Sequence, residues 1–279
     1  MQYALSVPHF GEYADPTLLA ALAHDAETAG WDAMFLWDHI LMDVADPPPQ
    51  TDAWIALAAM ASATERIRLG PMVTPLPRRH PWKVARETVA LDRLSRGRLV
   101  LGVGIGEPAD AEYEQFGQDG DARVRAEKLD ESLEIVTGLW TGAPFAYRGR
   151  HYEIRRSTFL PTPVQRPRIP IWVAGQLPRS RPLRRAARWD GYYPIADGGM
   201  RAPTVEEIGA VTADLGRLRG SLDGFALVVG GATAAGPGGR RAVDPYASAG
   251  ATWWFERING FRGSLETMRG RVRAGPPAI

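Results

Sequence analysis

The chain has 279 residues, 45% of them hydrophobic and 23% charged, the balance of a globular protein rather than a disordered or fibrous one. With 33 basic and 32 acidic residues the net charge is +1, so bulk charge gives no reason to expect nucleic acid, an anionic membrane or a polyanionic substrate. Zero cysteines exclude disulfides, thiolate zinc sites, iron–sulfur clusters and a cysteine nucleophile.

Tyr3–Val7 reads as a strand, and Met1–Gln2 before it lacks the charged start and apolar stretch of a signal peptide. The longest apolar run, Ala53–Ala61, is far short of the roughly 20 residues that span a bilayer, so a cytoplasmic location is expected. Asp15 and Pro16 start a helix with Leu18, Leu19, Leu22 and Ala26 on one face, and Gly30 ends it. The run Ala33–Trp37 is followed by a helix from Thr51 to about Thr64. Ile67–Val73 leads into a helix from Pro81 to Ser95. Leu99–Gly104 leads into a long one carrying Ala126, Leu129, Leu133, Val136 and Trp140 at three- and four-residue spacing.

Phe145–Ile154 breaks this pattern and reads as a β-hairpin around Arg148–Gly149, inside an insertion at about 141–169. Strands then resume at Ile171–Ala174, Tyr192–Ile195, Phe225–Val229 and Ala251–Phe255. Between them fall a short helix around Leu183–Arg188 and one with a Thr204/Glu207 capping box, and Ser264–Arg273 is the last. The glycine-rich segment Gly230–Gly239 is too short for a domain linker. Eight strand–helix units predict an α/β chain forming one (β/α)8 TIM barrel over residues 1–279, with an open doubly wound sheet as the competitor. In a barrel the chemistry belongs to the loops after the strands' C-terminal ends.

Candidate residues follow from that position. Gly102–Val103–Gly104–Ile105–Gly106 lacks the G-x-G-x-x-G spacing, which leaves a tight turn or a close ligand approach. His39, directly after a strand, can exchange protons near neutral pH, with the adjacent Asp38 or Glu107 at the mouth of the fourth strand to orient it, although a loop-held structural histidine explains its place as well. Gly175, Gln176 and Arg179 form a candidate anion seat, while most arginines read as scattered, solvated helix-face residues. His9, His24, His39, His80 and His151 never fall at metal-ligand spacing, so no metal is expected. Without G-x-S-x-G or a strand-end lysine, the site needs a borrowed cofactor.

The segments Trp31–His39, Ile67–Pro81, Leu94–Gly106, Ile171–Gly175 and Arg185–Gly191 resemble, in order and spacing, the bacterial luciferase-like flavin-dependent oxidoreductases and monooxygenases. The resemblance implies a barrel that binds FMN or, in one branch, a deazaflavin (coenzyme F-420), often as a homodimer and sometimes served by a separate flavin reductase. It places Met72, Val73 and Thr74 at a bulge under the flavin ring, where the family often has a non-proline cis peptide. Gly104, Ile105 and Glu107 would then stand at the ring edge, and Val173, Gly175, Gln176 and Arg179 near the phosphate. His39 would face substrate, with Asp38 and Glu107 assisting proton transfer. Leu41, Met42 and Asp43 stand where the deazaflavin branch often has a tryptophan, which inclines the cofactor toward FMN. A barrel that binds flavin without catalysis, or serves only for interaction, is the remaining alternative.

Overall fold

Alternation along each strand sends one residue to a barrel interior and the next to an outer helix layer. The computed structural model describes residues 1–178 and 180–277. Strands β1 (Gln2–Val7), β2 (Ala33–Leu36), β3 (Arg68–Pro71), β4 (Thr74–Pro75) and β5 (Leu101–Gly104) precede a hairpin of β6 (Phe145–Arg148) and β7 (Glu153–Ser157). After it come β8 (Ile171–Gln176), β9 (Gly191–Ile195), β10 (Ala226–Gly231) and β11 (Trp253–Arg257). The parallel sheet runs β3-β2-β1-β11-β10-β9-β8-β5-β4. β4 continues β3 beyond a cis Met72–Val73 peptide, and a parallel bridge from Leu69 to Leu99 joins the two ends.

Gly70 makes that closure possible, because a Cβ there would lie 1.9 Å from the Val100 carbonyl oxygen. Inside the ring, Phe35 stacks on Phe255 at 4.8 Å and Trp172 meets Trp253 edge-on at 5.1 Å. Ala4, Ala33, Met72, Val100 and Val228 fill the space between these rings. Leu5, Met34, Leu36, Leu101, Val173 and Leu227 point the other way and bury the helices' apolar faces.

The helices start where capping chemistry allows. Asp15 accepts from Thr17 N–H ahead of α1 (Pro16–Thr28), and Asp52 accepts from Ile55 N–H ahead of α2 (Ala53–Ala63). α3 (Pro81–Leu94) follows as expected, but the loop after β5 holds an unexpected short helix, α4 (Ala109–Glu112), before α5 (Ala122–Trp140). Four residues are too few to show a period in sequence. Next come α6 (Ser180–Ala186) and α7 (Val205–Arg219), the latter with the expected Thr204/Glu207 capping box. The glycine-rich segment, too short for a domain linker, instead supplies the end of β10 and the start of α8 (Pro237–Ser248), and α9 (Leu265–Arg273) is the last helix.

The hairpin lies against α5, where the Glu131 carboxylate accepts from the backbone N–H groups of Arg150, His151 and Tyr152. Several arginines expected on solvated faces are buried instead. Arg98 donates to the carbonyls of Ala61, Thr64, Ile67 and Ser95, so its five N–H groups tie the end of α2 to the start of β5. No helix among the described residues is long and apolar enough to cross a membrane.

Candidate active site

The C-terminal ends of β1, β2, β4 and β5 converge on His39. Phe10 and Trp37 stand edge-on to its ring at 6.4 and 6.1 Å, and the Trp37 indole N–H donates to Ser6 Oγ at 2.9 Å. The backbone of His39 is held from both sides. Its N–H donates to His9 Nε2 at 3.0 Å, and its carbonyl accepts from Gln50 Nε2 at 2.6 Å. His9 is fully buried and gives its own Nδ1–H to the Thr51 carbonyl at 2.7 Å. Its pKa falls because burial disfavours the charged ring.

His39 Nδ1 lies 2.7 Å from Glu112 Oε1. The Glu112 side chain is fully buried, its Oε2 pairs with Arg78 Nη1, and its Oε1 also accepts from Ile40 N–H at 3.3 Å. An ionised carboxylate can only accept, so Nδ1 carries the ring proton and Nε2 keeps a lone pair. Burial and the Arg78 charge push the His39 pKa down to about 4, with Asp38 opposing them. The imidazole is therefore neutral at pH 7.

Asp38 was expected to work alongside His39, yet its carboxylate faces away from that ring. It accepts from Trp54 Nε1 at 3.0 Å, from Thr74 Oγ1, from Arg78 at 2.7 Å and from Arg79 at 3.1 Å. Burial alone would raise its pKa, but Arg79, Arg78 and the hydrogen bonds from Thr74 and Trp54 bring it below the ordinary carboxylate range. Two acids and two guanidiniums thus form one compact neutral cluster. A cleft of about 370 Å³ opens beside it, lined by Ile40, Arg78, Glu112, Phe116 and Gln118.

Glu107, the expected partner across the ring, is 51% exposed and reaches Arg125 at 3.1 Å. The carboxylate on His39 is Glu112, five residues later, because α4 turns the loop back over β2. Sequence reasoning missed Glu112 and Arg78. The usable signal was Arg78–Arg79 standing immediately after an apolar strand end and before a helix, where solvated charges are out of place.

Met72 is buried inside the barrel and Val73 half-buried at its rim. A Cβ on Gly104 would meet Val73 Cγ2 at 2.8 Å, so that glycine lets the bulge lie flat on β5. Thr74 is fully buried and engaged with Asp38, which removes its hydroxyl from the rim. Ile105 is half-buried, and its carbonyl accepts from Tyr113 OH at 2.6 Å.

Val173 corrects an expectation, since strand alternation turns it into the helix layer and leaves Trp172 and Ala174 facing inward. Gly175 is explained by packing, because a Cβ would lie 2.1 Å from Pro182 Cβ. Gln176 accepts from Gly198 N–H at 3.3 Å, and Arg179 lies outside the described residues. Among the described residues no group of acids and histidines could hold a metal ion.

The barrel thus carries a neutral histidine at its rim and a flat bulge on its third strand. The family model for luciferase-like monooxygenase matches residues 4–272, and the chain belongs to that family of flavin- and F420-dependent oxidoreductases. One relative, the oxygenase component of a flavin-dependent trigonelline monooxygenase from Acinetobacter baylyi, is 31% identical over 57% of this chain and 43% of its own. An F420-dependent glucose-6-phosphate dehydrogenase from Nakamurella multipartita is 33% identical over 70% of this chain and 54% of its own. An F420-dependent secondary alcohol dehydrogenase has the same fold, with a TM-score of 0.78 at 15% identity over 92% of each chain.

Proposed function

We propose that the chain is a monooxygenase that uses reduced FMN on a small organic substrate at the barrel mouth. The observation that carries this reading is the neutral His39, whose Nδ1 is held by Glu112 so that its Nε2 lone pair is left for substrate. The rim fits a flat ring, since Gly104 adds no side chain between the bulge and β5. Met72, Val73, Gly104 and Ile105 hold the ring, and Gly175, Gln176 and Arg179 take the phosphate. His39 meets substrate, Glu107 shapes the ring's far edge, and Asp38 anchors the arginines. Reduced flavin, when bound, supplies the electrons for oxygen activation. A separate flavin reductase delivers it, and the working unit is a homodimer.

One observation favours a second reading, hydride transfer to the deazaflavin F420. A neutral imidazole with a bare Nε2 is suited to take the proton of an alcohol as its carbon is oxidised. Titration of the purified protein with FMN and with F420, followed by absorption, separates the two. Saturable perturbation of the FMN bands alone is expected. Binding of F420 alone transfers the assignment to hydride transfer, and binding of neither removes both.

A further inference from the structure

Among the described residues Arg78 is the guanidinium that touches both acids around His39. Its Nη2 donates to Asp38 Oδ1 at 2.7 Å and to the Asp38 carbonyl at 2.9 Å, its Nη1 pairs with Glu112 Oε2, and its side chain is 6% exposed. We propose that Arg78 is a positioning residue that sets the tautomer and charge of His39 through Glu112. With one oxygen held by Arg78, Glu112 stays ionised and its charge is already compensated. Its other oxygen then takes the Nδ1–H of a neutral ring, and Nε2 is left bare for substrate.

The surrounding groups support this assignment. On the far side of Arg78, Asp38 is shared with Arg79, which also stands 3.7 Å from Glu87, and Glu87 is itself paired with Lys83 at 3.0 Å, so three acids meet three cations and no negative charge is left over for an imidazolium. From the end of β1, His9 meets the His39 backbone and is itself neutral through burial. Glu107, on the loop after β5, is taken by Arg125, and Asp52 at the start of α2 accepts from Ile55 N–H. Burial and the Arg78 charge act together in lowering the His39 pKa. Without Arg78, the Glu112 carboxylate would face the ring uncompensated, and an opposite charge this close raises a histidine pKa by about 1–3 units.

This role matters to catalysis only if His39 meets substrate as proposed above, but it can be measured without cofactor. Ring ¹⁵N shifts of the five histidines, with His39 assigned by its loss in His39→Asn, report tautomer and titration directly. In the unaltered protein His39 should hold the Nδ1–H form and titrate far below 6.5. Arg78→Met should move that titration up by about 2 pH units, roughly a hundredfold in proton affinity, and Arg78→Lys should restore most of it. Glu112→Gln serves as a second variant should Arg78→Met fail to fold. Arg78 can only donate, so the amide oxygen turns toward it and the NH₂ toward His39, flipping the ring to the Nε2–H form. An unmoved titration in Arg78→Met, an Nδ1–H ring in Glu112→Gln, or an Nε2–H ring in the unaltered protein would overturn the proposal. FMN titration of the same samples tests the functional reading separately.

Discussion

Glu112 Oε1 stands 2.7 Å from His39 Nδ1, and the two residues are 73 positions apart. The contact joins the end of β2 to the four-residue helix α4, and through Arg78 it ties both to the loop after β4. It determines which ring nitrogen is free, and therefore whether His39 can accept a proton or only donate one.

Replacing that ring should affect turnover rather than binding. General acid–base help is worth about 10²–10⁴ in rate, so His39→Asn should slow substrate oxidation at least about a hundredfold while FMN affinity stays within a few-fold. Steady-state kinetics alongside a flavin titration check this. A loss of rate explained entirely by flavin release would return His39 to a structural role.

Buried and exposed acids should separate in stability. Glu112→Ala leaves Arg78 buried with one partner fewer, and breaking such a pair costs about 3–5 kcal/mol. Glu107→Ala removes a half-exposed partner of Arg125, which keeps the Gly106 carbonyl as acceptor, and should cost less than about 1 kcal/mol. Urea unfolding of the two variants measures the difference, and equal midpoints would contradict the assignment of Glu112 as the buried member.

Acid should weaken the fold earlier than carboxylates alone would dictate. His39 is depressed to about 4 in the folded chain, so below its unfolded value of about 6.5 the unfolded state binds more protons. Stability therefore falls as pH drops from about 6.5 to about 4, by an amount of the order of 2–3 kcal/mol from this residue. His9 adds to the loss in the same direction. Asp38, shifted down, contributes stability above its unfolded pKa that is lost as pH falls through its lower folded value. Urea midpoints between pH 7 and pH 4 should show a slope that shrinks in His39→Asn, and an unchanged slope counts against the neutral ring.

Val173→Ala distinguishes a core role from a ligand role. Removing its buried methyls should cost about 1.5–3 kcal/mol of stability. FMN affinity should not change, because the side chain faces the helices and not the mouth. A weakened FMN titration in a fully folded variant would contradict that placement.

The strand–helix alternation was legible in the sequence because burial on both faces of a parallel strand and on one face of a helix writes itself into local periodicity. Asp15, Thr204 and Ser264 marked helix starts in the same way, through side chains that bond only to neighbouring backbone. His39 could be placed at a strand mouth, since it follows an apolar run directly. What it touches could not be read there. Glu107 and Glu112 occupy the same loop, and only the short turn of α4 decides which carboxylate comes to lie over β2. Arg78 and Asp38, 40 positions apart, look in sequence like two solvated charges. Val173 looks equal to its neighbours in an apolar run until sheet closure gives the strand an inside and an outside. Those outcomes belong to the tertiary structure, because desolvation and ion pairing depend on what the ring of strands brings within a few ångströms, and local spacing carries no record of that distance.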